Sequence, residues 1–269
     1  SSTLKEQFLG FYDTPNLFNN IKTLKQFSYE KLQLDKINYS KLDIKENLPL
    51  GKRVEYFFEY YIKHTFRYNL VKKNIQVLKD KQTLGEIDFI LYDKYENCFK
   101  HIELVYKFYL YDLSYKNELD RYIGPNRNDT LVKKLEKIEH KQFPLIYKSP
   151  TKKYLENIDI ENLKQEVAYK ANIYLPLLDL KVARKVCSFK DSIQGFYLSY
   201  EEFKRLSIFE NYEFFLPHRY DWVCTPNTSV KWYKYDEIKS LIEFYLNYKK
   251  SPLVWMKKKS KIRTFFITW

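Results

Sequence analysis

Two acidic residues and a lysine stand on neighbouring stretches that alternate like β-strands. In Glu86–Tyr92, Ile87, Phe89 and Leu91 fall on one face, and Glu86, Asp88, Ile90 and Tyr92 on the other. In Phe99–Tyr111, His101, Glu103, Val105, Lys107 and Tyr109 share one face, opposite Ile102, Leu104, Tyr106, Phe108 and Leu110. Asp93–Asn97 reads as the turn of a hairpin between them. Antiparallel pairing through that turn would bring Asp88 and Glu103 together. Two adjacent carboxylates repel each other unless a hard cation compensates, and Mg²⁺ takes oxygen ligands while keeping several waters. Asp88 and Glu103 are therefore candidate ligands for Mg²⁺ or Mn²⁺. Lys107, four residues past Glu103 on the same face, could orient an attacking water or neutralise charge building on phosphorus oxygens. A divalent ion would lower the pKa of that water. Together these groups suit phosphodiester hydrolysis.

A plainer reading competes. In a chain that is 30% charged, the same residues could form an amphipathic hairpin with a solvated polar face and a cross-strand ion pair. Two flanking features favour the site. Glu55 lies on an upstream helical stretch from which it could complete the site through a water. A turn and helix follow at Gly124. Glu86, at a strand start, reads as solvent-facing. His101 and His140 read as structural, because no nucleophile lies near them in any motif.

The positioning elements follow from periodicity. Gly51–Tyr68 predicts an amphipathic helix with Val54, Phe57, Phe58, Tyr61, Ile62 and Phe66 on its stripe. Asn74–Leu78 predicts a short strand before the hairpin. After Gly124-Pro125-Asn126 a helix is expected, with Asp129 as N-cap, Leu131, Leu135 and Ile138 as its stripe, and an end before Pro144. Ala168–Leu175 predicts another strand, stopped by Pro176. Beyond it, Gly195–Tyr200 and Tyr212–Leu216 read as strands and Asp236–Tyr248 as a helix. Leu253–Met256 and Ile262–Trp269 read as a last hairpin around a lysine-rich turn. Asn126, Arg127 and Lys134 are candidate nucleic-acid contacts near the site mouth, although a turn or a surface helix would carry the same residues. Trp255 to Arg263 combines base-stacking and phosphate-binding side chains, and a solvated turn explains it as well.

Gly85-Glu86-Ile87-Asp88 followed by His101-Ile102-Glu103-Leu104-Val105-Tyr106-Lys107 resembles the motif strands of the PD-(D/E)XK nuclease superfamily. More narrowly, the chain resembles a bacterial family labelled domain of unknown function 1853. That match runs through Leu50-Gly51-Lys52 with Glu55, the Gly85–Asp88 strand, Glu103 to Tyr109, and Tyr122–Asn126 with Asp129 and Leu131. The resemblance implies an α/β (α+β) fold with a restriction-endonuclease-like core, a mixed central sheet flanked by helices in the order helix-strand-strand-strand-helix-strand. It implies a catalytic set of Glu55, Asp88, Glu103 and Lys107, with Asp88 and Glu103 on the metal. The chain departs from the superfamily pattern twice. Ile87 replaces the proline before Asp88, and Val105 occupies the usual lysine position. The expected organisation is an N-terminal helical extension over 1–50, the core over 51–180 and a mixed extension over 181–269, without a clean split into two domains.

Composition bounds the rest. With 269 residues, 45% of them hydrophobic and 19% aromatic, the chain can bury a sizeable core and is expected to fold. No run of about 18 apolar residues suggests a membrane span. Three separated cysteines without zinc spacing point to a reducing cytoplasmic setting and no structural zinc. A net charge of +13 permits a polyanionic partner, DNA ahead of RNA, without requiring one. The expected function is a divalent-metal-dependent nuclease. The alternatives are a nucleic-acid-binding protein that has lost catalysis on the same fold, and a partner-binding structural module.

Overall fold

A computed structural model describes residues 2–269. Its α-helices are α1 (Leu4–Asp13), α2 (Leu50–Lys63), α3 (Leu131–Lys137), α4 (Phe143–Leu145), α5 (Leu180–Val186), α6 (Tyr200–Arg205) and α7 (Tyr235–Asn247). Its strands are β1 (Asn20–Ile21), β2 (Leu24–Lys25), β3 (Tyr68–Lys79), β4 (Gln82–Asp93), β5 (Cys98–Tyr111), β6 (Tyr122–Ile123), β7 (Lys164–Pro176), β8 (Ile193–Ser199), β9 (Glu213–Phe215), β10 (Tyr233–Lys234), β11 (Leu253–Lys258) and β12 (Lys261–Thr268). The fold is mixed α/β, with helices flanking a large mixed sheet. The chain forms two compact units built from separated segments. The first comprises Asn16–Tyr106 and Lys133–Lys170; the second comprises Ser1–Pro15, Lys107–Val132 and Ala171–Trp269.

In the first unit, β3 and β4 pair antiparallel from Tyr68↔Asp93 to Lys79↔Gln82. Their turn, Asp80-Lys81, has φ of 48° and 66°, the backbone twist that suits a two-residue hairpin loop. β4 and β5 pair antiparallel from Asp93↔Cys98 to Phe89↔Ile102, across the turn expected at Asp93–Asn97. β3 is longer than the five residues anticipated, because Tyr68–Lys73 also pairs along β4. α2 buries Val54, Phe57, Phe58, Tyr61 and Ile62, and Phe58 meets Phe89 edge-on at 4.8 Å. The helix ends at Lys63 rather than running to Tyr68, since Tyr68 already belongs to β3. Phe66, expected on its stripe, is 81% exposed. A second apolar cluster joins Ile75, Val77, Ile87 and Ile90 to Leu145, Ile146, Leu155 and Leu163. β4 is thus covered on both faces, and Ile90 is buried on the face read as polar.

The far end of the β4–β5 hairpin carries a buried ionic network. Lys100, fully buried, bonds Asp93 (2.9 Å), Glu166 (3.0 Å) and Glu96 (3.2 Å), while Arg67 reaches Asp93 at 2.7 Å. Burial opposes ionisation of Asp93, but the Arg67 and Lys100 hydrogen bonds win and hold its pKa well below the usual range. A buried ammonium with several carboxylate partners is fully compensated, so this network pins the turn.

The second unit orders β10-β9-β11-β12-β8, then the C-terminal part of β7. β8 is parallel to both β12 and β7; the other pairs are antiparallel. Phe203 of α6, Ile238 and Ile242 of α7, and Phe209 pack on Phe196, Phe214, Val254 and Phe265. Gly195 is needed here by close approach: a Cβ on it would lie 2.0 Å from the Thr264 carbonyl oxygen.

Candidate metal centre

The β4–β5 ladder runs to Phe89↔Ile102; one further step in that register sets Asp88 against Glu103. There the backbone pairing gives way to side chains. The Leu104 N–H donates to Asp88 Oδ2 at 2.9 Å, and the Asp88 and Glu103 carboxyls are hydrogen-bonded to each other. The two acids therefore converge, as the alternation predicts. Glu103 is fully buried, which rules out a solvated polar face at this position.

Glu103 is held on both oxygens. Its Oε1 accepts from His101 Nε2 at 2.8 Å and its Oε2 from Gln142 Nε2 at 2.8 Å. Burial drives the His101 pKa down to about 4, against the pull of the Asp88 charge. His101 is then a neutral ring, with Nδ1 accepting from Gln165 Nε2 at 3.0 Å and Nε2–H facing Glu103. Gln165 is fixed in turn by donating to the Phe143 carbonyl at 2.7 Å. Gln142 comes from a π-helical turn, Ile138–Gln142, inserted between α3 and α4. The helix does not stop before Pro144: the turn widens, and Pro144 falls in the first turn of α4, where its missing N–H costs little. The insertion delivers Gln142 to Glu103, and Lys134 of α3 donates from Nζ to Gln142 Oε1 at 3.2 Å.

The electrostatics are those of a compressed acidic pair. Burial, then the Glu103 charge, then the hydrogen bond to Glu103, raise the Asp88 pKa to about 8. Burial likewise raises Glu103, while its bond to Asp88 lowers it. Burial and the neighbouring acid thus favour the protonated form of Asp88. The Lys134 charge lowers both. Glu55 on α2 is raised by burial, relieved by Lys52 at 2.9 Å, and raised again by the Asp88 and Glu86 charges. Lys52 lies 3.9 Å from Glu86.

Of the residues singled out by sequence, Asp88, Glu103, Glu55 and Lys134 are gathered in one electrostatic neighbourhood in the first unit. Lys107 belongs to the second unit, where its ammonium pairs with Asp129 at 2.5 Å. Asn126 and Arg127 also lie there. Asn126 Oδ1 accepts from the Ser251 N–H at 3.0 Å. Arg127 donates to the Trp269 carbonyl at 3.0 Å and stacks over its ring at 4.6 Å. Gln142 and Gln165 escaped the sequence reading, and His101 was read as structural only. The signal for His101 was its place two residues before Glu103 on one strand face. Nothing in the sequence marks Gln142, because its position depends on the π insertion.

The donor set fits a small hard cation. It offers two adjoining carboxyl groups whose ionised forms a cation would favour, and oxygen ligands of this kind are what Mg²⁺ takes together with waters and phosphate oxygens. Among the described residues no group of three or more His, Cys, Asp or Glu side chains is placed to hold a metal; the pair suits an ion that retains water rather than one caged by protein.

Neither the curated proteins nor the solved structures include a match to this chain. The model of one family matches residues 10–263, nearly the whole chain. The chain therefore belongs to the family described as Domain of unknown function (DUF1853).

Proposed function

We propose that Asp88 and Glu103 hold a divalent cation and that the protein hydrolyses phosphodiester bonds of DNA, less readily of RNA, as a nuclease of the PD-(D/E)XK type. One observation carries the reading: two carboxyls, the fully buried Glu103 and the half-buried Asp88, meet at the end of a β-ladder. The order α2, β3, β4, β5, α3, β7, interrupted by the two-residue β6 before α3 and the three-residue α4 after it, supports it, because the longer elements follow the order expected for a restriction-endonuclease-like core.

A bound Mg²⁺ or Mn²⁺ would neutralise phosphate charge and make water a better nucleophile near neutral pH. This chain's residues supply the rest. Asp88 and Glu103 would present their oxygens to the ion. His101 and Gln142 fix both Glu103 oxygens, so the carboxylate cannot rotate away. Lys134 is a cation whose charge reaches both acids of the pair. It takes the part that sequence spacing offered to Lys107, stabilising charge on the non-bridging phosphate oxygens. Glu55 lies where it can orient a water.

The test compares cleavage of plasmid and oligonucleotide DNA with Mg²⁺ or Mn²⁺ by wild type, Asp88→Asn, Glu103→Gln, Lys134→Met and Lys107→Met. The first three variants are expected to lose about 100-fold or more, the scale of one lost electrostatic contact, and Lys107→Met to keep most activity. Equal cutting by all five proteins, or none by wild type, overturns the assignment.

The absence of a third acidic or imidazole ligand among the described residues favours a second reading, nucleic-acid binding without catalysis. It requires salt-sensitive binding and no metal-dependent cutting.

A further inference from the structure

We propose that the tip of the last β-hairpin is a separate binding surface for single-stranded nucleic acid, with Lys258, Lys261 and Arg263 on the phosphates and Tyr212 against a base. It lies in the second unit and does not depend on the catalytic reading.

Three observations carry it. The first is the register. Lys258 pairs directly with Lys261, and Met256 with Arg263. Cross-strand partners and residues two apart share a face, so Lys258, Lys261 and Arg263 project together. Like charges directly opposite in an antiparallel pair destabilise it. Among the described residues no acid offsets this: Glu213, on the adjoining strand β9, is taken by Lys257 at 3.1 Å.

The second is the turn. Lys259 has φ of 56°, in a two-residue loop where asparagine or glycine fits with less strain. The hairpin thus accepts two local costs, and both place ammonium groups at its tip. Retained strain of this kind is a pointer to function.

The third is shape. A cavity of about 360 Å³ is lined by Tyr212, Lys258, Lys259, Ser260, Lys261 and Arg263. It contains four cations, no carboxylate and one aromatic ring, over which the Lys258 ammonium sits at 5.4 Å. A polyanion would relieve the repulsion between the lysines. The ring selects among polyanions, since aromatic stacking is what unpaired bases offer and duplex backbone does not. A lipid surface fits less well, because residues 258–261 include no apolar side chain to enter a bilayer interface.

The test uses fluorescence anisotropy of labelled oligothymidylate and oligouridylate with the whole chain in EDTA, so that cutting cannot interfere. Lys258→Gln/Lys261→Gln/Arg263→Gln should bind at least 10-fold more weakly. Its log K against log salt slope should flatten by about 2, from about 0.7 per phosphate contact on single strands. Its Tm should match or exceed that of wild type, because the like-charged pair is gone. Tyr212→Ala should lose about 5- to 100-fold, the range of one stacking contact, and Tyr212→Phe should retain binding. Wild-type affinity in the triple variant overturns the proposal. So does wild-type binding to polyglutamate or phosphatidylserine vesicles as tight as to the oligonucleotides. Either result leaves the cleavage assay of Asp88 and Glu103 unaffected.

Discussion

At the residue scale, the chemistry rests on a pair that is uncomfortable by itself. Unfolded Asp and Glu titrate near about 3.9 and 4.3. Burial raises both in the folded protein, and the Glu103 charge raises Asp88 further, to about 8. A raised carboxyl stabilises the fold fully below its unfolded pKa, and that contribution is lost as pH climbs through the folded value. The metal-free protein should therefore lose Tm between about pH 4 and pH 8 more steeply than Asp88→Asn/Glu103→Gln, in which the pair cannot ionise. Mg²⁺ should recover a few degrees, most at the alkaline end. Thermal melts across that window, with and without Mg²⁺, decide it; parallel curves for the two proteins would show that the pair ionises freely. His101→Gln and Gln142→Leu release one Glu103 oxygen each. They should weaken Mg²⁺ binding about 10- to 100-fold, the scale for a partner that orients a ligand. Isothermal titration reads this directly, and unchanged affinity would make both residues mere packing.

At the scale of elements, much was legible. Alternation located β4 and β5, the turn at Asp93–Asn97, the α2 stripe and the final hairpin, because a half-buried strand or helix writes its face into the sequence. Boundaries were harder. Helix α2 stops at Lys63 because Tyr68 already belongs to β3, a competition that periodicity does not register. The π turn at Ile138–Gln142 was invisible for a similar reason: it arises where Leu145 and Ile146 must reach the Ile87–Ile90 cluster. Close approach also operates at this scale. Gly195→Ala places a Cβ 2.0 Å from the Thr264 carbonyl, so β8 and β12 must part. A loss of about 1–3 kcal/mol, the usual cost of overpacking, is expected in urea unfolding; a neutral result would mean that the strands shift without penalty.

At the scale of the whole molecule, composition sets the chain's reactivity and charge. Cys98, Cys187 and Cys224 are all free and buried, and burial raises each thiol pKa, Cys224 to about 12. Ellman's reagent should label none of them rapidly in the native protein and all of them after unfolding, and a reductant should leave Tm unchanged. Fast labelling without denaturant would contradict the buried placement. Among the described residues no helix is long and apolar enough to cross a membrane. The charge of +13 makes any nucleic-acid affinity salt-dependent. Charge alone does not say where a polyanion would sit; the proposed site at the last hairpin is one place to test.

The sequence by itself determined the mixed α/β character, the hairpin carrying Asp88 and Glu103, and the prospect that these two acids meet. Each follows from local rules: the two-residue period of strands, the chemistry of turn residues and the reach of a short loop. Only the tertiary structure decided that Glu103 is sealed from solvent, that a π turn brings Gln142 onto it, that the Lys134 charge acts on the pair, and that Lys107 is engaged by Asp129. Those outcomes depend on packing between segments far apart in the chain, where one inserted helical residue or one competing ion pair redirects a side chain without altering the pattern along the strand.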